Sequence, residues 1–242
     1  MSESANRSVG RALMILETLA ATQEPLALKD IAGLLGIPKS SALVLLRSLE
    51  DHEFVHRDEL GRYAVGLRAF ETGSAYIRGM SSVRAASDQL RWLTEKLGVT
   101  AHFAVLDGDE VVYVAKEDPR ELGVRLASFV GARLPAATTA VGAAQLVHAP
   151  ARSNALLGDP SLEQRLAEAR ERGYAVDDGA IVSGVKCVAA AVMDVHGCCG
   201  AIGVSYLQQD SRDEQTVAEC VMQAAATASV RLGGRGRAQG VA

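Results

Sequence analysis

Residues 36–49 read Gly-Ile-Pro-Lys-Ser-Ser-Ala-Leu-Val-Leu-Leu-Arg-Ser-Leu, and this stretch decides the fold of the first third of the chain. Gly36 suits the position just after a helix, and Pro38 suits the first turn of the next helix. The leucines that follow recur at helical spacing and predict a helix over residues 39–50. Two short helices joined by such a turn are typical of a helix-turn-helix, whose second helix lies in a DNA major groove.

The segments on both sides of this stretch extend the motif. Upstream, residues 12–20 and 31–35 carry apolar side chains at helical spacing and predict two further helices. Downstream, residues 54–65 read as two short strands around a turn that contains a glycine, which predicts a wing. We therefore predict a winged helix-turn-helix over residues 1–66.

The rest of the chain alternates between helical and strand patterns. An apolar stripe over residues 67–80 predicts a linker helix that leads out of the first domain. Residues 81–232 mix both periods, which indicates an antiparallel sheet with helices packed on it. The residues after them, 233–242, are rich in glycine and arginine and predict a disordered tail. The predicted fold class is α+β with two domains.

Short polar signals predict where three helices of the second domain begin. Ser161 and Ser211 each precede a glutamine or glutamate by three positions, the spacing of a capping box. Thr138 or Thr139 can cap a short helix that runs to residue 147. These signals depend on local hydrogen bonds and predict helix starts without any knowledge of the tertiary fold.

The composition limits the kinds of partner. The 242 residues carry a formal net charge of −4, and the basic and acidic side chains of residues 1–79 nearly cancel. A DNA contact must therefore come from a local patch and not from a uniformly basic surface. The hydrophobic fraction of 48% is enough to fill two cores.

The sequence predicts a cytoplasmic protein that needs no disulfide, metal or cofactor. Its cysteines lack paired CxxC spacing and fit free thiols in a reducing compartment. The first residues lack the apolar core of a signal sequence, and no run approaches the roughly 18 apolar residues of a membrane span. His102 and His196 have no carboxylate to orient them, and no nucleophile elbow is present, so we expect no enzymatic activity. The four cysteines are Cys187, Cys198, Cys199 and Cys220.

Four motifs, taken in this order and spacing, resemble the IclR family of bacterial transcription regulators from residue 9 to residue 232. The resemblance implies a winged helix-turn-helix joined by a linker helix to a GAF-like α+β effector-binding domain. It also implies an allosteric homodimer or homotetramer, here expected to be a repressor, that binds double-stranded operator DNA with a palindromic or repeated sequence. The motifs are Arg-Ala-Leu-Met-Ile-Leu (11–16), the turn at 36–41, Gly-Arg-Tyr-Ala-Val-Gly-Leu (61–67), and Arg-Gly-Tyr-Ala-Val-Asp-Asp (172–178) with Gly-Val-Lys-Cys-Val-Ala-Ala (184–190).

The helix predicted over residues 39–50 is the one expected to contact DNA, and its outer face carries polar, charged and apolar side chains. Residues 39–41 lie at its start, where backbone N–H groups and hydroxyls can bind phosphate, and Arg47 can reach phosphate or a guanine edge. Arg57 and Arg62 flank the wing turn and can contact the DNA backbone or the minor groove. The DNA-binding residues that we expect are Lys39, Ser40, Ser41, Leu43, Val44, Arg47, Arg57 and Arg62.

Leu43 and Val44 depart from the family pattern that the chain resembles, in which a polar or basic pair such as His-Arg is common here. Aliphatic side chains can contact thymine methyl groups but cannot donate hydrogen bonds to bases. We therefore expect fewer direct base contacts and more dependence on the serines, Arg47 and the wing. The alternative is that Leu43 and Val44 pack against a neighbouring element and do not face DNA.

The turn at residues 138–142 places small residues at a helix start, where open N–H groups favour a carboxylate. The resemblance implies that this turn forms an effector site with other strand residues of the second domain. Gly203 stands where a serine is common in the family, and Ala140-Val141 replaces a smaller pair found in some members. We therefore expect a different ligand that is larger or more apolar, and we predict an aromatic or a short-chain organic acid. The effector-binding residues that we expect are Thr139, Ala140, Val141, Asp177, Cys187, Gly203 and Ser205.

Two alternatives remain at this point. The second domain can bind a small-molecule effector, or it can serve oligomerisation alone. Likewise, the stripe over residues 12–16 can form a dimer surface together with the helix over 67–77, or it can belong to the core of the first domain.

Overall fold

Residues 3–22, 24–120, 129–149, 159–210 and 212–234 are described by a computed structural model, in which the chain forms two units, Met1–Gly79 and Met80–Ala242. The first unit contains the turn that opened the sequence analysis. Its elements, in chain order, are α1 (Glu3–Ala21), β1 (Leu26–Ala27), α2 (Leu28–Leu34), α3 (Lys39–Asp51), β2 (Val55–Arg57), β3 (Arg62–Val65) and α4 (Leu67–Gly79).

The helices α1, α2 and α3 and the wing strands enclose one apolar core. β3 lies between β1 and β2 and pairs antiparallel with both. Gly36 adopts a φ of 61°, which an L side chain rarely accepts, and so lets α2 turn directly into α3. The predicted winged helix-turn-helix is therefore confirmed. The core side chains are Ile15, Leu19, Ile31, Leu46, Val55 and Tyr63.

Within the described residues, no side chain of α4 is buried in the first unit. Leu67, Phe70 and Tyr76 are exposed apolar side chains of this helix. On α1, Val9, Leu13 and Met14 are likewise exposed, although Ile15 belongs to the core. The amino-terminal stripe thus divides between the core and an apolar surface.

The second unit is built on one six-stranded antiparallel sheet with the strand order β6-β5-β4-β9-β8-β7. Helices α6 and α7 pack on each other over one face, and α5 and α8 pack on each other over the opposite face. This arrangement confirms the predicted α+β class. The elements are α5 (Ser81–Leu97), β4 (Thr100–Asp107), β5 (Glu110–Glu117), β6 (Arg133–Pro135), α6 (Ala140–Leu146), α7 (Pro160–Arg172), β7 (Ala175–Asp178), β8 (Val185–Asp194), β9 (Gly197–Leu207) and α8 (Glu214–Arg231).

Aspartates cap two helices for which the sequence pattern favours serine. Asp159 Oδ1 accepts a hydrogen bond from the Ser161 N–H at 2.9 Å, and α7 begins at Pro160. Asp213 caps α8 in the same way, and Ser211 lies outside the described residues. The capping-box assignment of Ser161 was therefore wrong, because a charged carboxylate two residues earlier is the stronger acceptor. Thr139 caps α6, as predicted.

The start of the predicted tail is held against the sheet. Gly233 forms an antiparallel bridge with Asp194, and the Gly234 N–H donates to the Ser229 carbonyl at 2.9 Å. These two residues are therefore ordered, contrary to the prediction of a tail that starts at residue 233. Residues 235–242 lie outside the described residues.

Candidate functional site

Helix α3 carries the predicted reading stripe on its outer surface. Ala42 and Leu46 are fully buried, while Lys39, Ser40 and Arg47 are exposed. The burial follows from helical spacing, because residues four apart share a face. Among the described residues, no carboxylate lies within ion-pair distance of Arg47, so its charge is available to an anionic partner.

The adjacent residues Leu43 and Val44 differ in burial. Leu43 is partly buried, whereas Val44 is 66% exposed. Of the two aliphatic side chains, Val44 is therefore the one that can meet another molecule over most of its surface. The alternative in which both side chains pack inward fits Leu43 in part and does not fit Val44.

The wing holds its two arginines differently. Arg62 Nε binds Asp58 Oδ2 at 2.8 Å, and Arg57 lies over the Tyr63 ring with 5.5 Å between guanidinium carbon and ring centroid. The Arg62 backbone N–H and guanidinium hold the pKa of Asp58 below its ordinary value. Arg62 already has a carboxylate partner, so Arg57 is the better placed of the two for phosphate. At the tip of the wing, Leu60 is exposed.

Four polar side chains lie next to one another across four strands of the second unit. Asp177 of β7 pairs with Cys187 of β8 in the strand register. Cys187 in turn pairs with Ser205 of β9, and Ser205 pairs with Thr100 of β4. Register partners point to the same side of a sheet, and here that side is the face covered by α6. We call Asp177, Cys187, Ser205 and Thr100 the polar row.

Hydrogen bonds within the second unit satisfy much of the polar row. The Cys187 thiol and the Ser205 hydroxyl lie 3.1 Å apart, and the Thr100 hydroxyl donates to Asp118 Oδ1 at 2.8 Å. Asp177 Oδ1 accepts from the Ala180 N–H at 2.8 Å. Burial raises the pKa of Asp177, and it also raises the pKa of Cys187 to about 11. The Cys187 thiol therefore stays protonated near neutral pH and is not a nucleophile.

Helix α6 is fixed closely over the sheet. Thr139 Oγ1 accepts from the Gly142 N–H at 3.1 Å, which caps the helix. The Gln145 side chain donates to the Val141 carbonyl and accepts from the Leu106 N–H of β4, at 2.9 and 2.8 Å. The first residues of α6, including Ala140 and Val141, are buried against the sheet.

Gly203, Val141 and His102 meet one register step away from the polar row. A Cβ at Gly203 would lie 2.8 Å from His102 Nε2 and 2.9 Å from Val141 Cγ1, so the glycine makes room for both side chains. His102 is the register partner of Gly203 and is only 2% exposed. The structure thus brings two predicted effector residues, Val141 and Gly203, together with a histidine to which the sequence assigned no role.

Sequence reasoning missed His102 and Thr100, although one signal for them was present. Residues two apart in a strand share a face, so Thr100, His102 and Ala104 line up on the same side of β4. The pattern does not reveal which side faces α6. That information comes from the pairing of β4 with β9, which is more than 90 residues away in sequence.

Burial, and secondarily the Lys116 charge, lowers the pKa of His102 from its ordinary 6.5 to about 4. The folded protein therefore keeps the imidazole neutral in a pH range where the unfolded chain binds a proton. We expect the free energy of unfolding to fall as the pH drops from about 6.5 to 4, with a contribution of about 3 kcal/mol from this residue. Denaturation of the parent and of His102→Phe across this range measures the difference, and equal pH profiles would contradict it.

A groove of about 1400 Å³ lies elsewhere in the second unit, along β8 between α7 and α8. Ala191 and Met193 of β8, Arg170 of α7 and Glu219 of α8 are among the residues that line it. None of the predicted effector residues lines this groove. The polar row and the groove are therefore separate features of the second unit.

The described residues contain no group of three or more His, Cys, Asp or Glu side chains that could hold a metal ion. In the same part of the chain, no single helix is long and apolar enough to cross a membrane. One bent pair, α2 with α3, meets the length and composition criteria together, with an angle of 111° between the two helices.

An amino-terminal winged helix-turn-helix in which α3 has an exposed outer face, followed in the chain by an α+β domain, is the architecture of a DNA-binding transcription regulator. The chain belongs to the IclR family of bacterial transcriptional regulators. The IclR helix-turn-helix domain model matches residues 8–59, and the model of the bacterial transcriptional regulator IclR C-terminal domain matches residues 74–158 and 145–230.

Individual relatives agree with this family. The chain is 31% identical over 216 residues to the HTH-type transcriptional repressor AllR of Klebsiella pneumoniae, covering 82% of this chain and 79% of AllR. It is also 31% identical over 208 residues to the transcriptional repressor IclR of Escherichia coli, covering 78% and 76% of the two chains. These relatives are regulators, and the chain is a transcription regulator and not an enzyme.

A solved structure shares the fold over nearly the whole chain. It is an IclR homologue from Microbacterium hydrocarbonoxydans complexed with 4-hydroxybenzoate, with a TM-score of 0.82 and 21% identity. The match covers 93% of this chain and 99% of the homologue. At 21% identity, the structural likeness establishes the fold alone.

Proposed function

We propose that this chain is a repressor that binds a palindromic or repeated operator as a homodimer or homotetramer, and that a small organic acid bound in the second unit changes its affinity for DNA. The observation that carries the proposal is the polar row. Burying polar side chains costs free energy even where hydrogen bonds offset part of it, and a purely structural core avoids this cost with apolar residues. A ligand site, in contrast, needs a few converging polar groups in an apolar wall.

The DNA contact in this proposal comes from α3 and the wing. Lys39, Ser40 and Ser41 bind phosphate at the start of α3 and set its register on the duplex. Arg47 reaches the groove or a phosphate with its free charge, and Arg57 contacts phosphate from the wing. Arg62 contributes less because Asp58 already neutralises it. Leu43 supports the position of α3 more than it reads bases.

Val44 is expected to read thymine by its 5-methyl group. Replacing thymine by deoxyuridine throughout the bound operator should weaken binding roughly fourfold for each half-site, since burying one methyl-sized group contributes about 0.8 kcal/mol. Fluorescence anisotropy with a fragment selected by the protein from genomic DNA measures the effect. The control is Val44→Ala, which should bind both versions of the fragment equally. A parent protein that ignores the substitution would refute this contact.

The exposed apolar side chains of the first unit support a dimer. Val9 and Leu13 on α1, and Leu67 and Phe70 on α4, present apolar surface that a monomer would leave in water. A two-fold dimer places its reading helices about 34 Å apart, one turn of DNA, or a multiple of that distance. The operator would accordingly contain two related half-sites.

An organic acid fits the charges at the two ends of the polar row. Lys116 Nζ lies 3.1 Å from Asp118, the residue that accepts from Thr100. At the other end, Arg165 donates to the backbone carbonyl of Ala137, and its charge opposes the burial that raises the pKa of Asp177. Lys116 is already neutralised by Asp118, so Arg165, which has no ion-pair partner among the described residues, is the cation that can attract a carboxylate into the site. The 4-hydroxybenzoate bound by the structural relative makes an aromatic acid a reasonable first probe.

The proposal is tested by thermal unfolding and DNA binding in the presence of acetate, glycolate, benzoate and 4-hydroxybenzoate. A ligand that binds only the folded state raises the unfolding temperature by mass action. At least one acid should stabilise the protein and change its affinity for a genomic fragment. Asp177→Asn should reduce this response, because the buried carboxylate belongs to the polar row.

The matched control is Asp178→Asn, which changes the neighbouring and exposed carboxylate of the same strand. This variant should respond to the acids as the parent does. If no acid stabilises the parent or alters DNA binding, the effector site is wrong, and the second unit serves oligomerisation alone. Equal responses of the two variants would show that Asp177 has no special role.

A further inference from the structure

His102 is a buried histidine whose Nδ1 atom has no hydrogen-bond partner in the part of the chain that the structure describes. Its side chain is on the face of β4 covered by α6, and it is 2% exposed. A neutral imidazole carries one donor and one acceptor, so an unpaired ring nitrogen in a buried place costs free energy.

The surroundings of His102 are those of the proposed effector site. Its register partner Gly203 is followed two residues later by Ser205 of the polar row, and Thr100 precedes His102 by two residues on the same face. The Tyr113 ring lies 5.1 Å from the imidazole, centroid to centroid, at an angle of 59°. Gly203 provides the space for the imidazole, because any Cβ there would collide with Nε2. The fold therefore accommodates an unpaired imidazole beside the polar row.

We infer that His102 determines effector specificity by forming a hydrogen bond with a hydroxyl group of the acid. This inference rests on the proposed effector site. A hydroxyl both donates and accepts, so it can pair with the free nitrogen in either tautomer of the ring. A carboxylate is less suited to this position, because it only accepts hydrogen bonds and can therefore pair with the free nitrogen in just one tautomer of the ring. The carboxylate of the acid belongs nearer Arg165, because Lys116 is the register partner of His102 and is already paired with Asp118.

Discrimination by such a group is strong for a physical reason. An acid without the hydroxyl leaves the His102 nitrogen unpaired in the complex, and a site built around a polar group rejects an analogue that cannot pair with it. The inferred pocket therefore prefers glycolate to acetate and 4-hydroxybenzoate to benzoate. Each pair differs in one hydroxyl and keeps the carboxylate.

The experiment compares three variants of the full chain with these two pairs of acids. His102→Phe retains a ring but removes both nitrogens, and His102→Asn keeps a polar atom close to the position of Nδ1. Tyr206→Phe is the matched control, since the Tyr206 hydroxyl is also buried without a partner among the described residues. Tyr206 follows Ser205 directly and so points to the opposite face of the sheet. Calorimetric titration gives the dissociation constants, and thermal unfolding gives the stability without ligand.

We expect the parent and Tyr206→Phe to bind the hydroxylated acid of at least one pair about tenfold more tightly than its partner. His102→Phe should lose this preference, and His102→Asn should keep part of it. Without ligand, His102→Phe should unfold at the same temperature as the parent or a higher one, because an unpaired polar atom has been removed.

Three results would overturn the inference while leaving the proposed effector site in place. The first is a His102→Phe variant that keeps the parent's preference, and the second is a parent that does not distinguish either pair. In both cases the effector site survives as long as an acid still binds. The third is a large loss of stability in ligand-free His102→Phe, which would mean that the imidazole is needed to hold the fold. If none of the four acids binds the parent, the proposed effector site fails and the inference fails with it.

Discussion

Gly142→Ala is expected to lower the free energy of unfolding of the second unit by about 3 kcal/mol, a large effect for one methyl group. A Cβ at this position would lie 2.1 Å from the Ala136 carbonyl oxygen and 2.5 Å from the Ala136 Cα. Both atoms belong to the backbone, so no side-chain rotation can relieve the overlap. The helix α6 would have to move off the sheet, and the hydrogen bond that Gln145 accepts from the Leu106 N–H of β4 would weaken.

The chain provides a direct optical measurement of this effect. Trp92 on α5 is its single tryptophan, so tryptophan fluorescence follows the unfolding of the second unit. Gly73→Ala is the matched control, because a Cβ at Gly73 in α4 would meet nothing within 4 Å. In an exposed helix this change stabilises by roughly 0.5–1 kcal/mol and should leave the Trp92 transition in place. An unchanged Trp92 transition in Gly142→Ala would contradict the close approach of α6.

Gly142→Ala should also remove the response to acids while leaving DNA binding by α3 largely intact. The residues that would be displaced, Val141 among them, border the proposed effector site. Measuring both properties in one variant separates the function of the second unit from that of the first.

Arg47→Ala is expected to weaken binding to a selected genomic fragment by a factor of roughly ten or more, since such contacts contribute about 1–3 kcal/mol. Arg47 lies on the outer face of α3 without a carboxylate partner among the described residues, so its full charge reaches the DNA. The form of the loss identifies the contact. A phosphate contact lowers affinity for all sequences and reduces the salt dependence, whereas a guanine contact relaxes specificity at one position.

Two further arginine variants serve as comparisons for the DNA affinity of Arg47→Ala. Arg170→Ala removes an exposed charge from α7 in the second unit and should leave DNA binding unchanged. Arg62→Ala should have a smaller effect than Arg47→Ala, because the Arg62 charge is neutralised by Asp58 at 2.8 Å. If Arg62→Ala had the larger effect, the wing and not α3 would be the main source of affinity. Gel shifts at two salt concentrations, with the same fragment throughout, compare all three variants.

The comparison of Ser161 with Thr139 shows how accurately local sequence patterns predict where a helix begins. Both residues have side chains that can cap a helix, and the sequence favoured both. Thr139 does so, but Asp159 takes this role at α7 because it lies at the actual first turn, directly before Pro160. The capping pattern identified a helix start to within two residues, and the competition between nearby acceptors decided which one is used.

On α3 the pattern separated the inner from the outer face correctly at Ala42 and Leu46, since these positions follow from the helical repeat alone. It treated Leu43 and Val44 as one pair. Only the packing of the first unit distinguishes them, because Leu43 lies at the edge of the buried face and Val44 beyond it.

The sequence by itself determined the class of fold, the helix-turn-helix and the family, because turns, helical repeats and motifs are properties of neighbouring residues. The tertiary structure decided how the second unit places its chemistry. Asp177, Ser205 and Thr100 come from distant parts of the chain, and only the register of long-range strand pairing makes them neighbours. A shift of one residue in β4 would turn His102 to the opposite face, since successive side chains of a strand alternate.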